Sequence, residues 1–181
     1  MRFLVGMVFL SLGLSLGLPG QSSAQARPQV REGFFIGFGL GWGSLGCSDC
    51  NGEREGGLSG YLKLGGTVND QLLLGFETNG WTKEEDGVTL SQGNLSATGY
   101  FYPQPDKGFF VKGGLGLSTL DLKLSGLGSG SETGFGLIGG LGWDARVGSN
   151  FSLTPYANFV YGSFDNGSTN VIQAGLGLTW H

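Results

Sequence analysis

Cys47 and Cys50 are the chain's two cysteines, spaced as Cys47-Ser48-Asp49-Cys50. Such a pair can close a small disulfide ring, exchange electrons, or capture a metal. In an exported chain the ring is the expected state, with redox exchange and metal capture as the alternatives. A zinc ion would need two further ligands. None is nearby, because the lone histidine is the final residue, His181. No metal or cofactor is therefore expected. The adjacent carboxylates Glu84 and Glu85 have no surrounding frame that would shift a pKa toward acid–base work. No nucleophile–base set is recognisable, so no catalytic residue is assigned and enzymatic activity is not expected.

A second group of reactive side chains is Lys63, Glu77, Lys112, Asp144 and Arg146. What they could do depends on the elements that hold them. The stretch 33–42, Gly-Phe-Phe-Ile-Gly-Phe-Gly-Leu-Gly-Trp, shows the rule. Phe34, Ile36, Phe38, Leu40 and Trp42 share one parity, while Gly37, Gly39 and Gly41 take the other. A strand sends successive side chains to opposite faces, so one face is apolar and the other nearly bare. A helix would gain nothing from that order, and each glycine would weaken it by roughly 1 kcal/mol.

Eight such alternating runs follow one another, at 33–45, 57–68, 70–82, 88–102, 108–123, 133–146, 150–163 and 170–180. Short connections alternate with longer or more polar ones, which predicts tight turns at one rim and loops at the other. In the fourth run Val88 and Leu90 are out of phase, and a bulge or frayed end is expected there. All five charged residues named above fall on the small, polar parity. Each run can cross a bilayer when tilted, which takes about 9–11 residues.

The apolar parity could fill a soluble barrel or face lipid. Composition favours lipid: 13 % of residues are charged, against roughly 25 % in ordinary soluble domains. Glycine supplies 38 of the 181 residues. Aromatics decide between the two readings. Phe34, Phe101, Phe109, Trp143, Phe151 and Trp180 map to the short-turn rim, and Trp42, Phe135, Phe159 and Tyr161 toward the loop rim. Two aromatic girdles around an aliphatic band are what a bilayer selects. The predicted fold is all-β: an eight-stranded antiparallel up-and-down transmembrane β-barrel, closed because an open edge in hydrocarbon costs several kcal/mol per unpaired group. The net charge of −4 offers no basic face to nucleic acid.

Residues 1–26 read as a cleaved signal peptide, with Arg2, an apolar core from Phe3 to Leu18, and Ala24-Gln25-Ala26 as the cleavage site. The barrel domain would span 27–181. The last run ends Gln173-Ala174-Gly175-Leu176-Gly177-Leu178-Thr179-Trp180. Here the chain resembles the bacterial outer-membrane β-barrel family, the eight-stranded barrels that include OmpX, the OmpA barrel and the opacity proteins. Their closing strand carries a polar-x-Gly-x-x-apolar-x-aromatic pattern, matched by Gln173, Gly175, Leu178 and Trp180. The resemblance implies that this pattern is read by the barrel-assembly machinery. It departs from the family in ending on His181, one residue past the aromatic.

The expected role is structural or surface-interacting, adhesin-like, in the cell outer membrane, with both termini periplasmic and four loops outside. The expected partners are outer-membrane lipid and lipopolysaccharide, with the surface partner unknown. The rival is a narrow porin-like channel, and a lipid A-modifying enzyme is a more distant third. The five charges then have two uses open to them, a salt-bridge and water network filling the lumen or a conduit for small solutes. Inward glycines such as Gly37, Gly39, Gly41, Gly114, Gly116, Gly140, Gly175 and Gly177 leave room for a small void, and equally permit strand curvature.

Overall fold

A computed structural model describes residues 31–48, 53–124 and 128–181. The proposed signal segment and Cys50 lie outside the described residues. Every regular element among those described is a strand: β1 Phe34–Cys47, β2 Glu55–Asn69, β3 Leu72–Glu85, β4 Val88–Phe101, β5 Phe109–Leu124, β6 Gly128–Trp143, β7 Ala145–Arg146, β8 Phe151–Phe164 and β9 Gly167–Trp180. The two-residue β7 continues β6 along β8 without a change of register. The nine segments therefore make eight staves.

Each stave pairs antiparallel with its neighbour in sequence, and β1 pairs with β9 from Ile36↔Trp180 to Cys47↔Thr169. The barrel is closed, as the absence of any tolerable free edge demands. One rim carries Phe34 and Trp180 and is called the terminal rim below; the opposite one is the hairpin rim. The apolar parity faces outward on every stave, from Phe34 and Phe38 on β1 to Leu176 and Trp180 on β9. The polar parity faces inward, with Lys63, Glu77, Asn79, Asn94, Ser96, Thr154 and Gln173 all buried.

Three details differ from the sequence reading. First, β4 runs regularly against both neighbours from Val88 to Phe101. The expected irregularity is instead on β2, where the register against β3 shifts between Thr67 and Asn69. Leu90 looked out of phase because it faces inward, packed on a buried apolar cluster beneath the hairpin rim. Second, the strands run past the end of the apolar band at that rim. On β3 the outward apolar series stops at Phe76, yet pairing with β4 continues to Glu85↔Val88.

Third, the connections taken for loops at 83–87 and 164–169 are therefore two-residue hairpin turns, Asp86–Gly87 and Asp165–Asn166. Asp86 and Gly87 have φ of 50° and 79°, the left-handed pair that a type I′ turn needs and that Asp-Gly adopts readily. The alternation of short and long connections does not hold, since the terminal rim carries the seven-residue link 102–108. Among the described residues, hairpins that protrude past the apolar band distinguish the hairpin rim.

Candidate functional site

The interior is the part of this fold whose chemistry is unusual, and it is layered. At the terminal rim Phe35, Leu73, Tyr100, Tyr102 and Phe110 form a buried apolar cluster. Phe35 meets Tyr100 edge-on at 5.5 Å between centroids. Arg31 lies across this cluster, its guanidinium 3.7 Å from the Tyr102 ring centroid. Its Nη1 and Nη2 donate to the carbonyls of Pro105 (2.8 Å) and Lys107 (3.0 Å). The segment leading into β1 is thus fastened over the link between β4 and β5.

Next come the charges. Glu77 on β3 is 0 % exposed, and its Oε1 accepts from Lys112 Nζ at 2.6 Å and from Asn79 Nδ2 at 3.0 Å. Its other oxygen accepts from the Tyr100 hydroxyl at 2.5 Å. Three donors satisfy this carboxylate, which is what a fully buried charge requires. Lys63 is buried too, its Nζ 5.2 and 5.3 Å from the ring centroids of Phe110 and Tyr100. That is cation–π range. Asp144 accepts from Tyr102 and Thr154 at 2.7 and 2.6 Å.

The five charges read from the sequence occupy different depths and surroundings. Glu77 and Lys112 form a direct pair, and Lys63 sits among rings. Asp144 belongs to the terminal-rim hydroxyls. Arg146 lies at the rim itself, only partly buried, donating to the Ser149 carbonyl at 2.8 Å. The sequence reading passed over His181 as a chemical group. Its side chain is nevertheless buried, with Nε2 3.7 Å from Asp144 Oδ2 and its ring 6.2 Å from that of Phe35.

Above the charges Tyr61 and Tyr156 pack edge-to-face at 4.7 Å, followed by the amides Asn79, Asn158 and Gln173. The Asn158 amide donates to both of the others, at 3.3 and 3.2 Å. Beneath the hairpin rim Leu45, Trp81, Ile138, Val160 and Val171 form a second apolar cluster, with Trp81 Nε1 donating to the Gly43 carbonyl at 3.1 Å. The inward glycines do not leave a void beside these rings. A Cβ on Gly43 would lie 2.6 Å from Trp81, on Gly142 2.6 Å from Phe110, and on Gly39 2.9 Å from Tyr156. The glycine on one strand makes the space that the aromatic on another fills. Neither cluster was anticipated from the sequence, although apolar residues on the inward parity near strand ends were the available signal.

The profile of the outer membrane protein beta-barrel domain matches residues 10–179. The chain belongs to that family. No curated protein matches the sequence. Ail, the attachment invasion locus protein of Yersinia pestis, solved with the heparin analogue sucrose octasulfate, superposes with a TM-score of 0.63 at 18 % identity, over 82 % of this chain and 99 % of Ail. Neisserial surface protein A gives 0.59 at 18 %, over 83 % and 98 %. The N-terminal β-barrel domain of OprF from Pseudomonas aeruginosa gives 0.50 at 17 %, over 83 % and 98 %. At these identities the likeness concerns the fold.

In an outer membrane β-barrel the exposed apolar wall faces lipid. The girdle residues stand on that wall. Phe109 and Trp143 are cross-strand partners 6.4 Å apart, and Phe151 opposes Trp180. Tyr161 is half-buried. Of the closing-strand pattern, Gln173 and Gly175 face the lumen while Leu178 and Trp180 face lipid.

The hairpin rim has its own polar structure. Cys47 is disulfide-bonded, at the base of the first loop. Beside it Arg54 spans the seam between β1 and β9. Its Nε donates to Ser44 Oγ at 3.0 Å and its Nη1 to Asn170 Oδ1 at 2.6 Å. Arg54→Ala should free that corner of the seam, at a cost of about 1 kcal/mol for exposed hydrogen bonds. Hydrogen exchange should quicken at Leu45–Cys47 and Thr169–Val171 and stay unchanged at the terminal rim. Lys83 bridges Glu55 and Glu85, both at 2.5 Å. Hydrogen bonding to these carboxylates raises the Lys83 pKa and lowers that of Glu85. The groups are solvent-exposed, so the bridge adds little to stability.

Proposed function

We propose that this barrel does not conduct and acts through its protruding hairpins, in a structural or adhesin-like role at the cell surface, with both termini periplasmic. The observation that carries the reading is the filled interior. Among the described residues, two apolar clusters with an ion-paired and amide-bonded layer between them occupy the axis, which argues against the open hydrated lumen of a porin. An eight-stranded barrel has room for little beyond its own side chains. The interior carboxylates are occupied by internal donors, which favours a scaffold over an enzyme.

The hairpin rim bears Glu53, Glu55, Glu84, Glu85, Asp86, Asp121, Glu132 and Asp165, against Arg54, Lys83 and Lys123. Ail was crystallised with a polysulfated sugar. An acidic rim repels such a polyanion, so the surface partner expected here is cationic or held through divalent cations. The closing strand's Gln173, Gly175, Leu178 and Trp180 serve as the signal to the assembly machinery.

Planar-bilayer recordings on the refolded barrel should show no steady open level, and a reproducible open state would replace this reading with the narrow pore. Maleimide labelling of Cys47 and Cys50 on intact, reduced cells should succeed. Labelling only after the outer membrane is broken would reverse the orientation.

A further inference from the structure

Above the apolar band the staves are not equally tall. β3 and β4 pair on to Glu85↔Val88, β4 and β5 to Val88↔Leu124, and β5 and β6 to Leu124↔Gly128. The flanking staves part from them lower down. Pairing of β2 with β3 ends at Leu58↔Thr82, and that of β8 with β6 at Phe135↔Ser163. A four-stranded sheet therefore stands clear of the barrel with an edge at each side. An open edge is a row of unpaired N–H and C=O groups that a further strand can take up, and proteins guard such edges with charge, proline or shortness. The β3 edge is guarded. It is short, Lys83–Glu85, every residue in it is charged, and Lys83 bridges Glu85 and Glu55 of β2. The β6 edge is not. Gly128–Thr133 reads Gly-Ser-Gly-Ser-Glu-Thr, with one charge and no proline. It is exposed except at the half-buried Glu132, and among the described residues no strand pairs with its far side.

We propose that this edge receives an extended segment of a partner protein as an added antiparallel strand, carrying apolar side chains on its lumen-side face and a lysine or arginine at its foot. Main-chain hydrogen bonds supply the attachment in such a mode, and alternate side chains supply the selection. The apolar selection comes from β5. Leu122 and Leu124 are exposed and lie opposite Gly130 and Gly128. A Cβ on either glycine would meet nothing within 4 Å, so side chains of a strand laid alongside reach across the bare positions to the two leucines. The basic selection comes from the foot of the edge. Glu132 stands there, and the adjacent turn carries Asp165 and Asn166, whose N–H donates to Glu132 Oε1 at 3.4 Å. Strands β6, β8 and β9 contain no lysine or arginine to neutralise these carboxylates. A cationic residue is therefore favoured, while a second copy of this chain would set one acidic rim against another. The inference rests on the surface role proposed above and names its site and the form of the partner.

The test uses the isotope-labelled barrel in nanodiscs of zwitterionic phosphatidylcholine, so that the lipid does not compete for a cationic peptide. The probe is the capped peptide Lys-Thr-Val-Thr-Val-Thr, which sets its lysine opposite Glu132 and its valines opposite Gly130 and Gly128. Titration should move the amide signals of Ser129–Thr133 and slow hydrogen exchange at alternate residues there, with Lys83–Glu85 unchanged. The same peptide N-methylated at every backbone nitrogen keeps its side chains and charge but loses its donors. It should bind at least tenfold more weakly. Replacing the peptide's lysine by glutamate should also weaken binding about tenfold, and Glu132→Lys in the barrel should reverse that preference. Glu84→Lys, on the guarded edge, should leave the preference standing. Equal binding of the N-methylated peptide would overturn strand addition, as would signal changes without slowed exchange on β6. Slowed exchange at Gly128–Thr133 that grows with barrel concentration in the absence of peptide would assign the edge to a second copy and equally overturn it. The two readings fail separately. A steady open state in bilayer recordings would sink the surface role and leave the peptide result readable, whereas a silent barrel that does not pair with the peptide would sink this site alone.

Discussion

Glu77→Ala should be the most damaging change to an interior side chain, lowering the stability of the refolded barrel by about 3–5 kcal/mol, as expected when one partner of a buried ion pair is removed. The argument rests on what the variant leaves behind. Lys112 Nζ would lose its nearest acceptor, and the Tyr100 hydroxyl and Asn79 amide would each lose the oxygen they donate to. Water cannot easily replace that oxygen, because aromatic rings close the layer on both sides, Phe35, Tyr100 and Phe110 toward the terminal rim and Tyr61 and Tyr156 above. The pair itself is not inherently stabilising: desolvating two charges costs about what their attraction returns. A double variant, Glu77→Leu with Lys112→Met, should therefore recover most of the loss. The measurement is the temperature at which the folded gel band gives way to the unfolded one, run for both singles and the double. If Glu77→Ala melts with wild type, the pair contributes nothing and the layered interior has been misread.

How far the sequence carried this picture depended on which force wrote each feature. Alternation is a direct imprint of a wall with lipid on one side, so the outward set from Phe34 to Trp180 was legible residue by residue. Closure followed from the solvent alone. The charged residues were correctly placed on the inward parity, but parity says nothing about depth along the stave. That is why Arg146 and Glu77 looked equivalent, although one sits at the rim and the other in the middle. The apolar clusters were missed for a related reason. Phe35, Trp81 and Val171 put apolar side chains on the inward parity, where the wall pattern gives no reason for them and only the need to close the barrel's ends does. Strand ends at the hairpin rim were misplaced because pairing outlasts the membrane, whereas the apolar pattern stops with it. His181 was dismissed on chemistry, and only its burial beside Asp144 shows that the terminal residue packs inside.

Gly175→Ala should prevent stable closure, a large effect for a single methyl group. The added Cβ would lie 2.7 Å from Gly41 Cα and closer still to the Leu40 carbonyl oxygen. Both atoms are backbone of β1 on the other side of the seam, so neither can swing aside as a side-chain tip could. Overpacking against side chains typically costs 1–3 kcal/mol. Here strands must part along the Gly41↔Gly175 register, so about 3 kcal/mol or more is expected. Gly80→Ala supplies the contrast, since its Cβ enters open space; it should be neutral or gain roughly 0.4–1 kcal/mol from a less flexible unfolded chain. Gly175 also belongs to the proposed assembly signal, so failure in cells alone would be ambiguous. Refolding into detergent separates the causes, because no machinery is present. A steric seam predicts that Gly175→Ala and Gly41→Ala both fail there, although Gly41 lies outside the signal. Recognition predicts that Trp180→Ala, on the lipid face, refolds in detergent yet is lost from cells. Normal detergent refolding of Gly175→Ala would refute the steric account and leave recognition as the work of that glycine.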